Sequence, residues 1–213
     1  MRYDHHFRLN AVFYLSYLLL LAGVGWFQLL FSQADISLWV NQHHHPVADI
    51  FFKYFTHLGD GAFCIALGVI CFFFSRLKGR LLILAYALSG VLAQILKRFA
   101  FPDRPRPAAY FAEILPQIHT VAGVELAHWH SFPSGHTTSA FAVFGFLAFQ
   151  VSTTWAKVGL LLVAVLVGYS RLYLFQHFLV DVYFGSILGI TIAWGIENRG
   201  EFRQILKKLF SKA

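Results

Sequence analysis

The chain has 213 residues, 58% of them hydrophobic and 13% charged, with a mean hydropathy of +0.61. That balance excludes an ordinary soluble domain. The formal net charge of +7 invites a nucleic-acid partner, but the basic residues sort to the two sides of a membrane, as set out below, and no nucleic acid is expected.

In chain order, the apolar blocks predict six membrane-spanning helices. They cover 11–31, 57–75, 81–99, 136–152, 157–174 and 178–196, each near the ~20 residues that cross a hydrocarbon core. The first block is too long for the apolar part of a signal peptide and lacks a small-residue cleavage site, so it is expected to remain as a helix. The outer loop after it, 32–50, contains no Lys or Arg. Segment 47–57 is expected to form a short interfacial helix. The second crossing then begins near Gly59-Asp60-Gly61, which keeps Asp60 close to the outer surface. Cys64 and Cys71, seven apart in that span, read as buried thiols acting as small apolar side chains. Links 75–80 and 152–157 are inner turns. The long outer loop is 100–135, which holds five of the six prolines; proline avoids helix interiors because it lacks the N–H and clashes with the preceding turn.

In the C-terminal tail, Phe202, Ile205, Leu206, Leu209 and Phe210 share one helix face with basic residues between them. This predicts an amphipathic helix lying on an anionic inner leaflet. The expected architecture is therefore all-α: one integral membrane unit over 1–213, with six transmembrane helices, a short interfacial helix and a basic tail. With both termini inside, eleven of the 17 Lys and Arg fall on inner segments and six on outer ones, as the positive-inside rule requires. Trp26, Trp39, Trp155 and Trp194 fall near span ends, where aromatic belts form.

Three clusters stand out against this background. The first is Lys97-Arg98-Phe99-Ala100-Phe101-Pro102-Asp103-Arg104-Pro105, at the outer end of the third helix. The second is Pro133-Ser134-Gly135-His136, where the outer loop enters the fourth helix. The third runs from Ser170-Arg171 through His177 to Asp181, across the outer ends of the fifth and sixth helices. Six crossings put all three on one face, opposite both termini. Charged groups at membrane depth cost a few kcal/mol or more, so they usually face a pocket. His177 and Asp181, four apart, would share a helix face. A carboxylate on one imidazole nitrogen fixes the tautomer and leaves the other nitrogen free to attack or move protons. The planar fork of Arg171 suits a phosphate. Taken singly, each cluster has a plainer reading: a structural His–Asp hydrogen bond, interface anchors at Lys97 and Arg98, and a helix start capped by Ser134.

Together the three resemble the signatures of the type 2 phosphatidic acid phosphatase family. All three occur in order and with that family's spacing, across 97–181. The resemblance implies that His177 attacks phosphorus to give a phosphohistidine, with Asp181 orienting it. It implies that His136 protonates the leaving oxygen and then activates water. Lys97, Arg104 and Arg171 would hold the equatorial oxygens. Ser134 and Gly135 would offer a helix N-terminus to the anion, with no Cβ at Gly135 to keep phosphate away. No metal or other cofactor is implied.

The expected activity is a membrane lipid phosphatase acting on a phosphate monoester or pyrophosphate at the non-cytoplasmic face of a bacterial inner membrane. Candidate lipids are undecaprenyl pyrophosphate, phosphatidic acid, phosphatidylglycerol phosphate and lipid A phosphates, and the short loops lean toward the polyprenyl pyrophosphate. One rival is a lipid-to-lipid phosphotransferase on the same scaffold. Another is an anion channel or transporter, which has no use for a His–Asp pair beside a second His. Elsewhere, His43-His44-His45 reads as a solvated loop in preference to a metal site. His128 and His130 would shape a headgroup pocket or cap the loop. His57 and Asp60 would pair at the outer rim. Arg106, Glu113 and Glu125 are loop charges that would select a headgroup.

Overall fold

The computed structural model describes residues 2–200, and all the regular structure among them is helical. The amphipathic helix expected in the tail lies outside the described residues. In order, the elements are α1 (Arg2–Leu30), α2 (Gln33–Gln42), α3 (Pro46–Phe55), a 3-10 turn (Thr56–Gly59), α4 (Gly61–Phe74), α5 (Arg76–Ile95), a π-helical turn (Leu96–Ala100), α6 (Pro107–Tyr110), a 3-10 turn (Leu115–Gln117), α7 (Gly135–Gln150), α8 (Thr154–Tyr173) and α9 (Leu179–Glu197).

Four stretches are long and apolar enough to cross a bilayer: Asn10–Leu30, Arg76–Ala100, Thr154–Tyr173 and Leu179–Glu197. A fifth arises if Pro46–Gly59 and Gly61–Phe74, bent by 57°, count as one broken span. The short helix expected over 47–57 is α3, and the bend falls at Asp60, near the expected start of the second crossing. The remaining expected crossing, the fourth in chain order, corresponds to α7. Its 16 residues reach only ~24 Å at 1.5 Å per residue, less than a ~30 Å hydrocarbon core. This helix is not one that faces lipid: it is buried along nearly its whole length, packed among α5, α8 and α9. The outer surface of the bundle is the reverse of a soluble protein's. Leu29, Phe73, Phe74 and Trp155 are among its most exposed side chains, as a lipid-facing surface requires.

The segment 32–50 is not simply a loop. Ser32 caps α2 by accepting from the Asp35 N–H at 3.1 Å. Ile36 and Val40, one turn apart, bury against Leu172, Tyr173 and Leu174 at the end of α8. A Ser-x-x-Asp start followed by apolar residues four apart is a helix signal. It is hidden here by the greater apolarity of the spans on either side.

The closest packing is between α7 and α9, and small residues make it possible. A Cβ on Gly189 would lie 2.5 Å from the Thr138 carbonyl oxygen, and one on Gly185 would lie 2.9 Å from that of Ser134. The two glycines, four apart, let the backbones touch where any side chain would hold them apart. At the other end of the bundle, the buried Lys157 ties α1 to the α7–α8 link. Its Nζ donates to Asn10 Oδ1 at 2.5 Å and to the Ala148 carbonyl at 3.0 Å. Cys64 and Cys71 are free thiols, the first buried and the second half-buried.

This packing generates a prediction. Gly189→Ala pushes a methyl group into backbone, with no flexible side chain to yield, and should destabilise the fold by about 1–3 kcal/mol, the usual cost of overpacking. Gly195→Ala, which would meet nothing within 4 Å, should not. Thermal unfolding of the two purified variants in the same detergent checks the difference.

Candidate active site

The three clusters converge. Helix α8 ends on Tyr173, and Phe175 then takes a left-handed conformation (φ 57°). The Phe175 N–H donates to the Leu172 carbonyl at 3.0 Å and the Gln176 N–H to the Arg171 carbonyl at 2.9 Å. This is the hydrogen-bond pattern of a Schellman C-cap, with Phe where Gly is usual. It folds the chain back so that the His177 N–H also meets the Arg171 carbonyl, at 3.1 Å. The nucleophile candidate is thereby fixed to the backbone of the anion-clamp candidate.

His177 itself is not helical. It precedes Phe178, the N-cap of α9, and Asp181 is the third residue of that helix. The expectation of two side chains on one helix face is therefore corrected: a capping arrangement joins them. Asp181 Oδ2 accepts from the Phe178 N–H at 3.0 Å and lies 3.3 Å from His177 Nδ1. Ser131 Oγ donates to the same oxygen at 2.5 Å and lies 3.4 Å from His177 Nδ1. All three side chains are buried. Ser131 lies two residues before the second signature, and sequence reasoning passed over it. It is a hub: its N–H donates to the Arg104 carbonyl at 3.0 Å, and its own carbonyl accepts from Lys97 Nζ at 3.3 Å.

Of the expected cations, Arg171 is buried and reaches Thr56, its Nη1 donating to Thr56 Oγ1 at 2.6 Å. Its Nε is buried without a hydrogen-bond partner among the described residues. Leaving a buried donor unsatisfied costs ~1–3 kcal/mol, more for a charged group, and the oxygen of an anion would meet it. Lys97 sits in the π-helical turn, a deformation that often marks functional positions. It too is buried, its Nζ donating to the His130 carbonyl at 2.5 Å. Arg104 is exposed and lines a cavity of about 280 Å³ beside Asp181 and Ser131, on the carboxylate side of the imidazole.

The neighbouring Arg106, expected only to select a headgroup, is tied in more closely. Its Nε donates to the Trp129 carbonyl at 3.0 Å and its Nη1 to Gln176 Oε1 at 3.1 Å. Its charge acts on His177 more strongly than that of Lys97 or Arg171. Burial first, then these three cations, push the His177 imidazole well below its ordinary range, so it is neutral at pH 7 with a lone pair to use.

Ser134 serves as the N-cap of α7. Its Oγ accepts from the Thr137 N–H at 3.4 Å and from Thr137 Oγ1 at 2.8 Å. Its own N–H donates to the Asp181 carbonyl at 3.0 Å, so it is not available to an anion. The N–H groups of Gly135 and His136 remain at the helix end. A Cβ on Gly135 would meet nothing within 4 Å, so there is open space at this helix N-terminus. His136 Nε2 lies 2.5 Å from Asp60 Oδ1. The expected pairing of His57 with Asp60 is found, at 2.5 Å, but Asp60 also reaches this second histidine.

His43, His44, His45, His119, His128 and His130 have structural contacts. His45 Nδ1 accepts from the Val47 N–H at the start of α3, His43 Nδ1 lies 2.7 Å from the Trp39 carbonyl, and His44 stacks on His119 at 3.8 Å. His128 and His130 meet Arg106 and Lys97 through their carbonyls. Among the described residues, no three His, Cys, Asp or Glu side chains are grouped to hold a metal ion.

Residues 78–203 match the model of the family described as the PAP2 superfamily. The chain is 30% identical over 169 residues to phosphatidylglycerophosphatase B of Bacillus subtilis, covering 70% of this chain and 75% of that one. It is similar to the crystal structure of Aquifex aeolicus LpxE, with a TM-score of 0.67 and 34% identity, covering 77% of this chain and 93% of that one. It is also similar to a transmembrane PAP2-type phosphatidylglycerolphosphate phosphatase from Bacillus subtilis, with a TM-score of 0.66 and 25% identity, covering 92% and 96%.

The electrostatics of the site give a prediction about pH. An imidazole must be neutral to attack, and Arg106 helps to keep His177 neutral. Arg106→Gln removes that repulsion, so the imidazole holds its proton to higher pH. The acid limb of the kcat/KM profile should then move upward in pH relative to the unaltered protein on the same substrate.

Proposed function

The chain belongs to the PAP2 superfamily, and from that premise we propose that it hydrolyses a lipid phosphate monoester or pyrophosphate through a phosphohistidine on His177. It is an integral membrane protein of the lipid phosphatase kind. The observation that carries the mechanism is the buried His177–Asp181–Ser131 set standing beside the unpartnered Arg171 Nε. Asp181 accepts the hydrogen bond from His177 Nδ1–H, so Nε2 carries the lone pair that bonds to phosphorus. As that bond forms, the P–O bond to the lipid breaks and His136 gives its proton to the departing oxygen. Water then attacks phosphorus, His136 takes its proton, and the P–N bond breaks. Arg171, Lys97 and Arg106, with the N–H groups of Gly135 and His136, carry the charge on the equatorial oxygens. Arg104 flanks them. Fixed cations in these positions do the work a divalent ion does elsewhere, and the reaction is metal-independent.

The phosphate is presented at the non-cytoplasmic face, with α7 counted as one of six crossings and both termini inside. Supporting this, Arg76, Lys78, Arg80 and Lys157 lie at helix ends opposite the signatures. The lipid chain enters from the side. A cavity of about 140 Å³, lined by residues such as Leu20 and Val24 of α1, Leu172 of α8 and Leu179 and Val182 of α9, opens next to the 171–181 segment. Anchoring the chain there presents the headgroup to His177 as an effectively intramolecular partner. Phosphatidylglycerol phosphate, to which the name of the Bacillus relative refers, is a substrate to compare with phosphatidic acid, undecaprenyl pyrophosphate and lipid A phosphates.

Purified protein in detergent should release free phosphate from at least one of these four lipids at matched surface concentration, without an acceptor lipid and in excess EDTA. His177→Ala should abolish this release, by about 10³-fold or more, with unchanged thermal unfolding, and Asp181→Asn should cost less. Persisting release in the His177 variant, or loss in EDTA rescued by Mg²⁺, overturns the mechanism. Val24→Trp, which fills the apolar cavity, should raise KM for a long-chain lipid several-fold while leaving kcat/KM for p-nitrophenyl phosphate within about twofold, read from parallel initial-rate curves.

A further inference from the structure

The wall of the site that no signature supplies is the 3-10 turn between α3 and α4. It reaches two of the three signature segments at once. Thr56 Oγ1, at its start, accepts from Arg171 Nη1 at 2.6 Å. Asp60, just past its end, lies 2.5 Å from His136 Nε2. Gly59 makes the approach possible: a Cβ there would stand 2.8 Å from the His136 carbonyl oxygen and 2.8 Å from Val167 Cγ1. The turn is therefore pressed onto the first turn of α7, and the Asp60 carboxylate has a fixed place beside the imidazole. Its other oxygen, Oδ2, is occupied by His57 Nδ1 at the rim, at 2.5 Å.

A carboxylate accepts but does not donate. Its contact with Nε2 therefore requires that nitrogen to carry the hydrogen in neutral His136. Nδ1 is then the nitrogen that gains and loses a proton. The site around His136 is otherwise cationic, since the charges of Arg171 and Arg106 both act on it, and a proton there needs an opposing charge. The hydrogen bond from His136, together with that from His57, holds the Asp60 carboxyl down at about 2, so it is ionised whenever His136 titrates.

We propose that Asp60 is the positioning residue for His136: it fixes the imidazole tautomer and stabilises the imidazolium whose Nδ1 proton goes to the departing oxygen. This rests on the reading of His136 as the proton donor given above. As the P–O bond breaks, the proton moves from His136 Nδ1 to the leaving alkoxide, and the imidazole becomes neutral with its Nε2–H still held by Asp60. In the second step Nδ1 receives the proton of the attacking water. The site thus contains two carboxylate–imidazole pairs, one on the nucleophile and one on the proton carrier.

Leaving-group dependence separates this role from a merely structural one. An alkoxide leaving a lipid phosphate needs the proton; p-nitrophenolate does not. kcat/KM reports only the steps up to phosphoenzyme formation, so the later hydrolysis does not blur the comparison. Asp60→Asn, confirmed as folded by unchanged thermal unfolding in detergent, should lower kcat/KM for phosphatidic acid in mixed micelles by about 10²-fold, within the range general acid catalysis supplies. For p-nitrophenyl phosphate the loss should be below about threefold. Equal losses on the two substrates, no loss on either, or a gain overturn the proposal. If Asp60→Asn fails to fold, Asp60→Glu, which keeps the charge, carries the same comparison: its loss should again be larger on phosphatidic acid than on p-nitrophenyl phosphate. His136→Ala tests the underlying reading separately. If it leaves phosphatidic acid turnover intact, His136 is not the proton donor; if it abolishes turnover while Asp60→Asn changes nothing, only the role of Asp60 falls.

Discussion

Where α7 and α9 begin, two helix N-termini meet through one residue. The Asp181 carbonyl accepts from the Ser134 N–H, and its carboxylate accepts from Ser131, from the Phe178 N–H and from the His177 side. Two segments remote in sequence are thereby locked to within hydrogen-bond distance of each other. The lock exists only because α7 and α9 approach until backbone touches backbone, at Gly185 and Gly189. In a membrane, where lipid competes with apolar side chains on equal terms, such close packing and hydrogen bonding do much of the work of association. The rest of the site is arranged around this joint.

A cluster of the buried Lys97 and Arg171 with the half-buried Arg106 is costly by itself, because like charges repel and each has given up some of its water. The protein offsets part of the cost with carbonyl oxygens: His130 and Ser131 for Lys97, Trp129 and Gln176 for Arg106. Arg171 is offset least, having Thr56 on Nη1 and no partner on Nε. The same field that would welcome an anion keeps the His177 imidazole unprotonated. In the proposed mechanism, binding and nucleophilicity thus come from one charge distribution.

The long 100–135 segment, though irregular, is held by specific contacts. Main-chain carbonyls at 128–131 face Arg106 and Lys97, Asn41 exchanges two hydrogen bonds with the backbone of His119, and His119 Nε2 lies 3.0 Å from Asp49. His119 therefore holds the loop onto α2 and α3. That is a function its residue type does not announce.

The sequence by itself determined the helical class and the segments from which the proposed chemistry is drawn. Long apolar blocks can only be helices in lipid, since every backbone polar group must be satisfied within the segment. Charged residues in such blocks mark a pocket, and alternation of the crossings puts the signatures at one end. It could not determine which side chains meet, because that depends on rotations and close approaches between distant segments. Arg104 and Arg106 are two apart in a proline-rich turn, and only the path of the loop decided which of them borders Gln176. Ser131 carries no pattern of its own and became a hub by lying between two signatures in space. The α2 helix was masked by its more apolar neighbours. Asp60 was legible as the partner of His57, three residues away, but its second contact, with His136, spans 76 positions. Only the tertiary structure could supply that contact, because it exists where a glycine lets one turn press against another helix's first residues.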